Sequence, residues 1–528
     1  MKLVPTSVAR AVDERARIVF GLSDHALVEA AAASCTFSLV SAFPGLSDFG
    51  RVVILAGKGN NAADALAVAR QLVIKKRLDI RSTSVILKDV LPTIQTGQQA
   101  TPFGSNLHAL QSMGASIHTW NAKDGALQAL LSQADFIMDG LAGTGLEGEL
   151  RGSAREMAEA VNKVKALADG PIVIAVDLPS GLGDFWLPGM CLLDSNITLA
   201  VEPRKTCLYL PAARLRCGRI LACEEVFPPG MDLPLNSPVL TDFRQAAASI
   251  PPVRADSYKQ NRGVVEIRAG SVGTSGAAKL AARGACAAGA GLIKLRVDKE
   301  LWPVLANSEY GAIVRIDDGS SGTETGTDVC LAGPGWGRDP ARVRILESLI
   351  AQEAQGLLLV LDADALRMIG GRVFSGNTIL TPHPLEFSDL IGIPKDRVLE
   401  NPDPYLHLAA KEKNVVIILK GHVTRIAAPD GRLCYIDGLC PVLATGGTGD
   451  VLAGLVAGLV ARAKKTADCN GETSKAGFDP FPSAVAAAAL LVEAGKAAQE
   501  DAGFCDAADF ARMAGRIAGA AWLSKESC

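Results

Sequence analysis

The chain has 528 residues, of which 48% are hydrophobic and 21% charged, a composition that suits two or more buried cores and excludes a disordered chain. Its 53 basic and 56 acidic residues give a formal net charge of -3, so there is no basic excess to bind nucleic acid or an anionic membrane, and we expect neither as a partner. The 12 cysteines include no C-x-x-C pair, which argues against a zinc ribbon and suits reduced thiols.

The first 20 residues lack the pattern of a signal peptide. Asp13, Glu14 and Arg15 lie where a signal peptide needs its apolar core. No run of about 20 uninterrupted apolar residues occurs, since Asp450 interrupts the longest candidate, Val442–Ala461. We therefore expect a soluble, cytoplasmic protein.

Short apolar strands alternate with helical stretches in the first half of the chain. Helical spacing of apolar residues covers Ala62–Lys75 and Ala154–Leu167. The pattern predicts strands at Arg51–Ala56, Ser82–Leu87, Ala134–Met138, Ile172–Val176 and Ile197–Val201. Such alternation is typical of a parallel sheet with helices on both faces.

Prolines change the character of the chain between residues 226 and 254. Six of them fall there, at positions 228, 229, 234, 238, 251 and 252, and no periodic pattern is sustained among them. We predict a linker over residues 229–254, between a first domain of residues 1–228 and a second domain of residues 255–528.

The alternation of strands and helices resumes after the predicted linker. Strands are predicted at Val264–Ala269, Leu292–Val297, Asp328–Ala332, Leu357–Leu361, Thr378–Thr381 and Val415–Leu419. Helices are predicted at Ala277–Ala288, Ala341–Gln352, Pro404–Lys413, Val451–Ala463 and Ser483–Glu500. The polar stretch Ala463–Gly477 is predicted to be an exposed loop. Two α/β domains in tandem are therefore expected.

The most informative motif of the second half is TGGTGD at residues 445–450, which precedes an apolar helix. Its glycines let backbone N–H groups approach an anion, and the positive end of the helix points at that anion. Asp450 would accept a proton from a hydroxyl group that is being phosphorylated. The alternative is that Asp450 only caps the helix. A cap does not require the glycine run, so we favour the catalytic role.

Three further segments of the second half place polar side chains at strand ends. Lys420 and Thr424, in LKGHVT, either bind phosphate oxygens or form a simple turn. His383, between two prolines in TPHPLE, is either a ligand-binding or a surface residue. Asp362 and Asp364, in LDADAL, either hold magnesium through water or cap the next helix.

The second half resembles the dehydratase domain of NAD(P)H-hydrate repair enzymes, which belong to the ribokinase-like superfamily. The resemblance runs from Tyr258 to about Ala498 through six segments in order, GTSGAAKLAARGACAAGAGL, AGPGWG, LDADAL, TPHPLEF, LKGHVT and TGGTGDVLAGLVAGL. It implies a ribokinase-like α/β/α fold, Mg²⁺, and ADP as phosphoryl donor with ATP as the alternative. The implied contacts to the hydrated nicotinamide are Ala277, Gly335, His383 and Asp450. The implied nucleotide contacts are Lys420, Gly421, His422, Val423, Thr424 and Gly449.

Three strand ends in the first half combine glycines with carboxylate or amide groups. They are GKGNN at residues 57–61, MDGLAGTG at 138–145 and VDLPSG at 176–181. Each alone is explained by helix capping, and a G-x-G alone is weak support for a phosphate site. Because the carboxyl ends of parallel strands meet at one edge of a sheet, we predict one shared site.

The first half resembles the hydrate epimerase domain of the same enzymes over residues 5 to 225, which implies a Rossmann-like three-layer α/β/α sandwich. The implied potassium ligands are Asn61, Asp139 and Ser180, whose oxygen atoms suit a hard cation. Asp177 is the implied acid/base residue near the nicotinamide. The implied substrate contacts are Asn60, Asn61, Asp64 and Asp177, with Gly143, Thr144, Gly145, Leu146, Glu147, Gly148 and Glu149 around the substrate phosphate.

One segment departs from the family pattern. The family has G-N-N-G-G-D-G where this chain has GNNAADA at residues 59–65, so Ala62, Ala63 and Ala65 replace glycines. The three methyl groups would obstruct the site if those positions need positive φ or if substrate packs on their backbone. If the segment begins a helix, alanine would instead stabilise it by up to about 1 kcal/mol per site.

The resemblance implies a bifunctional enzyme that repairs hydrated NADH and NADPH. The first domain would interconvert the two hydrate epimers, and the second would dehydrate the S epimer and release AMP and phosphate. The expected partners are these small molecules and ADP, with a homo-oligomer as the assembly. The alternative is an ATP-dependent kinase of a vitamin precursor with a non-catalytic N-terminal binding module, although TPHPLEF and LDADAL favour the dehydratase.

Overall fold

The computed structural model describes residues 1–44, 50–89, 101–319, 322–470 and 478–523. The chain divides into two compact units, an N-terminal unit of residues 2–237 and a C-terminal unit of residues 238–528 together with Met1. Each unit has its own sheet and its own hydrophobic core. The predicted α/β fold class is confirmed.

The N-terminal unit contains a parallel sheet in the order β3-β2-β1-β4-β5-β6-β7. Its strands are β1 (Val52–Ala56), β2 (Thr83–Leu87), β3 (Ser116–Thr119), β4 (Phe136–Gly140), β5 (Ile172–Val176), β6 (Ile197–Val201) and β7 (Arg219–Cys223). Its helices are α1 (Thr6–Phe20), α2 (Asp24–Ala42), α3 (Asn60–Ile74), α4 (Pro102–Met113), α5 (Gly125–Ser132), α6 (Gly152–Lys165) and α7 (Pro211–Arg214). All five predicted strands are present. The sequence analysis did not predict α1, α2, α4, α5, α7, β3 or β7.

The C-terminal unit contains a sheet in the order β11-β10-β9-β12-β13-β14-β15-β16-β17-β8, parallel except where β16 pairs with β15 and β17. Its strands are β8 (Val239–Leu240), β9 (Val264–Arg268), β10 (Leu292–Val297), β11 (Ile313–Ile316), β12 (Val329–Ala332), β13 (Leu358–Leu361), β14 (Thr378–Leu380), β15 (Val416–Leu419), β16 (Val423–Ala427) and β17 (Leu433–Asp437). Its helices are α8 (Phe243–Ala247), α9 (Ser275–Ala287), α10 (Trp302–Ala306), α11 (Pro340–Glu353), α12 (Pro384–Ile391), α13 (Lys395–Glu400), α14 (Asp403–Lys413), α15 (Thr448–Asn470), α16 (Phe481–Ala502) and α17 (Ala507–Trp522).

Small residues bring α9 and α15 into close contact. A Cβ atom added to Gly454 of α15 would lie 2.1 Å from the carbonyl oxygen of Ala281 in α9, and one added to Gly284 of α9 would lie 2.4 Å from that of Val451. Larger side chains at these positions would force the helices apart. In the second half of α9, the glycine- and alanine-rich composition therefore allows the helix to pack closely against α15.

Two sequence-based expectations need correction. The linker predicted over residues 229–254 contains β8, which pairs with β17, and α8, so its second half is part of the C-terminal unit. The loop predicted at Ala463–Gly477 begins as helix, because α15 continues to Asn470. This part of α15 is polar because it is partly exposed to solvent, and polarity alone does not distinguish an exposed helix from a loop. Residues 471–477 lie outside the described residues.

Among the residues that the structure describes, two helices are long and apolar enough to cross a membrane by length and composition, α2 and α16. Of the most apolar window in α16, 78% is buried inside the protein, as in the core helix of a soluble domain. For α2 this share is 33%, and the helix lies near the N-terminus, where a signal sequence would pass the same test. One or two such helices are weak support for a membrane protein.

The strand order locates a ligand crevice in each unit. In the N-terminal sheet the chain winds from β1 through β2 to β3 and then returns to β4 on the other side of β1. In the C-terminal sheet it winds from β9 through β10 to β11 and then returns to β12 on the other side of β9. Doubly wound sheets bind ligands at the carboxyl ends of the strands beside such a switch point. The loops after β1, β4, β9 and β12 are therefore the places to look for sites.

The alanine-substituted segment begins a helix. Gly59 is the N-cap of α3, and the backbone N–H groups of Ala62 and Ala63 both donate to its carbonyl oxygen. None of the three substituted positions has positive φ. The backbone conformation of this segment therefore accepts alanine without strain.

Candidate active sites

A cavity of about 730 Å³ opens at the carboxyl edge of the N-terminal sheet. Its walls come from α1 and α2, from the first turns of α3 and from the segments that follow β1, β2, β4, β5, β6 and β7. Eight residues predicted to contact substrate line it, Asn60, Asn61, Asp64, Gly143, Thr144, Gly145, Leu146 and Asp177. The three strand-end segments thus meet in one place.

Three of the residues predicted around the substrate phosphate do not line this cavity, Glu147, Gly148 and Glu149. A carboxylate oxygen of Glu149 instead accepts a hydrogen bond from the backbone N–H of Cys191 over 3.1 Å and pairs with Arg155 over 3.2 Å. Its carboxylate therefore holds local structure, and the part of the predicted cradle that lines the cavity is Gly143 to Leu146.

Asp139 and Ser180 form a buried network behind the cavity wall. The Ser180 hydroxyl donates to Asp139 over 2.6 Å, and the backbone N–H of Ser180 donates to the other carboxylate oxygen over 2.7 Å. Burial raises the pKa of Asp139 to about 6, although hydrogen bonds from Ser180 and Leu141 oppose the rise. Asn61 donates to the carbonyl oxygen of Ala142, but its own Oδ1 is buried and has no hydrogen-bond partner among the described residues.

A lysine and three carboxylates form the polar centre of the cavity. Lys205 Nζ lies 2.5 Å from Asp177 Oδ1, and Asp177 itself has φ of 64°, in the left-handed region. Burial, followed by the charges of Asp177 and Asp13, raises the pKa of Asp64 well above its usual range. Burial likewise raises the pKa of Asp13 to about 6, and Lys205 opposes this rise.

The sequence analysis gave no role to Lys205 or Asp13. Lys205 follows β6, so the criterion that selected the other strand ends would have found it. Asp13 lies on α1, which precedes the sheet in the chain, and no local pattern indicates that this helix reaches the cavity. Only the tertiary structure places its carboxylate there.

In the C-terminal unit, Lys420 at the end of β15 lies among carboxylates. Its Nζ is 2.8 Å from Asp362 Oδ1 and 3.9 Å from Glu386 Oε2, and both carboxylates are buried. Burial would lower the pKa of Lys420, but Asp362, Glu386 and Asp450 together raise it above its usual value. Burial, reinforced by Asp362 and opposed by Lys420, raises the pKa of Asp450 to about 6.

Asp450 lies in the first turn of α15, directly after the glycine turn. Gly447 has φ of 93°, which L side chains rarely adopt, so the turn needs glycine there. A Cβ atom added to Gly449 would lie 3.5 Å from Lys420 Nζ. The structure therefore brings together Lys420, Gly449 and Asp450, which the sequence analysis assigned to nucleotide and substrate.

His383 is the N-cap of α12. Its Nδ1 accepts hydrogen bonds from the backbone N–H groups of Leu385 and Glu386, and Glu386 Oε2 accepts one from the backbone N–H of His383. The ring Nε2 lies 3.3 Å from the other carboxylate oxygen of Glu386. Both ring nitrogens thus have partners in the chain, so a contact of His383 with substrate would use the exposed ring surface. Glu386 received no role in the sequence analysis.

The remaining predicted residues fall into two groups. Ala277 and Gly335 are neighbours, since a Cβ added to Gly335 would lie 3.0 Å from the Ala277 Cβ. Val423 and Thr424 are buried in β16, and the Thr424 hydroxyl donates to the carbonyl oxygen of Gly421. Thr424 therefore stabilises the turn formed by Gly421 and His422, which was the alternative to phosphate binding.

Each unit is thus a doubly wound α/β domain with glycine turns and carboxylates at the carboxyl edge of its sheet, which is the organisation of a two-site enzyme. A family described as NAD(P)H-hydrate dehydratase matches residues 265–514, and one described as YjeF-related protein N-terminus matches residues 24–207.

Similar proteins cover almost the whole chain. The bifunctional NAD(P)H-hydrate repair enzyme Nnr of Moorella thermoacetica is 30% identical over 88% of this chain and 89% of its own length, and that of Gloeobacter violaceus is 32% identical over 85% and 87%. An ADP/ATP-dependent NAD(P)H-hydrate dehydratase from Bacillus subtilis, co-crystallized with ATP and Mg²⁺, is 25% identical, with a TM-score of 0.47 over 55% of this chain and 100% of that one. The chain belongs to the family of bifunctional NAD(P)H-hydrate repair enzymes.

The Lys420→Met variant should be less stable than the parent chain, and more so at pH 8 than at pH 5. Removing the ammonium group leaves the Asp362 carboxylate buried without its partner, which we expect to cost up to about 3 kcal/mol. Lys420 also lowers the pKa of the neighbouring Asp450, which is about 6 in the parent chain. Without Lys420 that pKa rises further, so the folded state loses stability as the pH rises and Asp450 ionises. Thermal unfolding at the two pH values measures the difference.

Lys395→Met, on the exposed side of α13, is the matched control and should change stability little at either pH. Equal destabilisation of the Lys420 variant at pH 5 and pH 8 would contradict the ion-pair argument.

Proposed function

We propose that the chain repairs hydrated NADH and NADPH at two separate sites. The N-terminal unit interconverts the two hydrate epimers. The C-terminal unit transfers the terminal phosphoryl group of ADP to the ring hydroxyl of the S epimer and then eliminates phosphate, which returns NADH or NADPH. The observation that carries the proposal is the position of Asp450 in the first turn of α15, beside the glycine turn and Lys420.

The chemistry of the C-terminal site follows from that placement. With a pKa of about 6, Asp450 is mostly ionised at pH 7 and accepts the proton of the substrate hydroxyl. The hydroxyl oxygen bonds to phosphorus while the bond from phosphorus to the leaving AMP breaks. Backbone N–H groups at the start of α15 and the charge of Lys420 offset the negative charge of the phosphoryl group. Phosphate is a better leaving group than hydroxide, so the C–O bond of the ring then breaks with loss of a ring proton.

The described residues would bind Mg²⁺ only together with the phosphates of the nucleotide, because they do not form a complete metal site by themselves. Among them, no three acidic, histidine or cysteine side chains are grouped closely enough to hold a metal ion. Carboxylate oxygens such as those of Asp362 and Asp450 are nevertheless the hard donors that Mg²⁺ takes, and Mg²⁺ commonly binds through one or two carboxylates plus substrate phosphates. When bound, it would neutralise charge on the phosphoryl group.

The N-terminal site offers oxygen donors for potassium. The partnerless Oδ1 of Asn61, the Asp139 carboxylate and the Ser180 hydroxyl lie around the backbone of Ala142. Oxygen donors of this kind suit a hard cation, and a cation would satisfy the buried Asn61 oxygen. When bound, it would hold the loop after β4 against the substrate.

The carboxylates around Lys205 supply the proton transfers of epimerisation. Asp177 is ion-paired with Lys205 and acts as the acid/base residue. Burial raises the pKa of Asp64 well above its usual range, which favours its protonated form, the form that can donate a proton. Carboxyl groups kept in different protonation states by their surroundings are the usual arrangement for acid/base work.

Asp450→Asn should lower the rate of dehydration by about 10²–10⁴-fold, because asparagine keeps the shape but cannot accept the proton. Recovery of NADH absorbance from the S epimer with ADP, and in parallel with ATP, measures the rate. The dissociation constant for ADP should stay within about twofold.

Asp396→Asn is the matched control, since Asp396 is exposed on α13 of the same unit and is not among the residues assigned to substrate, nucleotide or Mg²⁺. A rate in the Asp450 variant above half that of the parent chain would refute the role of Asp450. Consumption of ATP with no NADH recovered by the parent chain would favour a plain kinase.

Asp177→Asn should abolish epimerisation while dehydration of the S epimer continues, because the two reactions use different units. Incubation with mixed epimers should then leave the R epimer unconsumed. The parent chain should epimerise faster in potassium than in sodium buffer at equal ionic strength, and Asn61→Ala should remove that difference.

Asp184→Asn is a suitable control, because Asp184 bonds Thr6 instead of lining the cavity. Fast epimerisation by the Asp177 variant would rule out its role. Equal rates in sodium and potassium would rule out the cation.

Ala62→Gly should accelerate epimerisation if its methyl group hinders substrate, because Ala62 lines the cavity. Ala63→Gly and Ala65→Gly are matched controls, since these residues are buried in α3 away from the cavity wall. All three variants should lose up to about 1 kcal/mol of helix stability, so rates are compared well below the unfolding temperature. Acceleration by the controls alone would contradict the assignment of the methyl contact.

A further inference from the structure

A second cavity, of about 640 Å³, lies in the C-terminal unit between α9, α15 and α17. It includes the turn at Gly289, which links the end of α9 to the start of β10, so it lies at the amino edge of the parallel strands, opposite the catalytic edge. None of the residues assigned to substrate or nucleotide lines it. Its charged lining residues are Arg262, Arg283, Arg462, Arg512, Asp506 and Asp509.

Two of these arginines meet at the Gly289 turn. Arg262 Nη2 donates to the carbonyl oxygen of Gly289 over 3.0 Å, and Arg462 Nη1 donates to that of Ala288 over 3.4 Å. A Cβ atom added to Gly289 would lie 3.2 Å from Arg462 Nη1 and 3.7 Å from Arg262 Nη2. Two guanidinium groups of the same charge are therefore held side by side by backbone carbonyls.

Neither of these two arginines has an acidic partner within the described part of the chain. Arg462 is 3% exposed, and its Nε and Nη2 atoms are buried without a hydrogen-bond partner there. Its guanidinium lies over the ring of Trp522, 4.5 Å from the centroid, which holds it in place. Burial and the charge of Arg262 lower the pKa of Arg462 to about 10. Buried charges are normally paired, so this arrangement lacks a counterion.

The other two arginines of the cavity do have acidic partners. Arg283 pairs with Glu309 over 3.5 Å, and Arg512 pairs with Asp509 over 3.2 Å and with Asp501 over 3.5 Å. The uncompensated charge of the cavity therefore lies at Arg262 and Arg462. Arg512 provides a matched control in the same cavity.

We propose that Arg262 and Arg462 bind a phosphate group in this cavity, either free inorganic phosphate or the phosphate of a nucleoside monophosphate. Two adjacent guanidinium groups match the charge of a phosphate dianion and supply several N–H donors in fixed directions. The volume is within the range of small-molecule sites, about 300–1,000 Å³, so it also accommodates a nucleoside. The inference does not depend on the proposed function.

The test is calorimetric titration of the full chain with inorganic phosphate at constant ionic strength. Arg262→Gln and Arg462→Gln should each weaken one binding event at least tenfold, whereas Arg512→Gln should leave it unchanged. Any binding of phosphate at the catalytic edge of the sheet should remain in both variants, which distinguishes it from binding at Arg262 and Arg462. A parallel titration with AMP identifies the source, since the site takes a nucleotide if Arg262→Gln also weakens AMP binding and takes free phosphate if it does not.

Thermal unfolding supplies a second readout that a purely structural arginine would not give. Without phosphate, Arg262→Gln should melt at the same temperature as the parent chain or higher, because the repulsion between the two guanidinium groups is relieved. With phosphate, only the parent chain and Arg512→Gln should gain stability from this site. Unchanged phosphate affinity and stoichiometry in Arg262→Gln and Arg462→Gln would overturn the proposal.

Discussion

Parallel strands that are buried on both faces are the constraint on which both units depend. Such strands favour apolar side chains, as in VVILA of β1, all of whose residues are buried. Among the exceptions in β9 and β10, Glu266 pairs with Arg268 and Arg296. Polar groups are then confined mainly to the strand ends, and the right-handed crossovers place the loops that carry them at one edge. In the N-terminal unit the glycine turns and carboxylates lie beside β1, where the winding direction changes. In the C-terminal unit the carboxylates around Lys420 instead follow β13 and β14, at the same edge of the sheet.

The three alanines that replace glycines in α3 differ in what their methyl groups contact. A Cβ added to Gly140 of β4 would lie 2.7 Å from the Ala65 Cβ, so the methyl of Ala65 fills the space that Gly140 leaves open. Ala63 is also buried away from the cavity. These two substitutions are therefore changes of packing between helix and sheet, and the functional consequence of the departure from the family pattern falls on Ala62.

The sequence predicted the strands and their polar ends because both depend on local pattern, and it placed Asp450, Lys420, Asp177 and Asp64 at strand or helix ends. It did not predict Asp13, whose helix reaches the site only through tertiary packing. Four of the seven residues predicted around the substrate phosphate line the cavity, and sequence alone did not indicate that Glu149 bonds Cys191 and Arg155 instead. Arg262 and Arg462, the two adjacent arginines of the second cavity, are 200 residues apart in the chain, and no local sequence pattern relates them.

Each proposed catalytic site contains one lysine among three carboxylates. Lys205 faces Asp13, Asp64 and Asp177, and Lys420 faces Asp362, Glu386 and Asp450. One ammonium group compensates fewer charges than three carboxylates carry, so burial keeps protons on some of them up to neutral pH. Three of these acids have raised pKa values, Asp13 and Asp64 in the N-terminal unit and Asp450 in the C-terminal unit, and burial is the largest cause for each. A carboxyl group such as Asp450, with a pKa of about 6, loses and regains a proton readily near neutral pH, which acid/base chemistry requires.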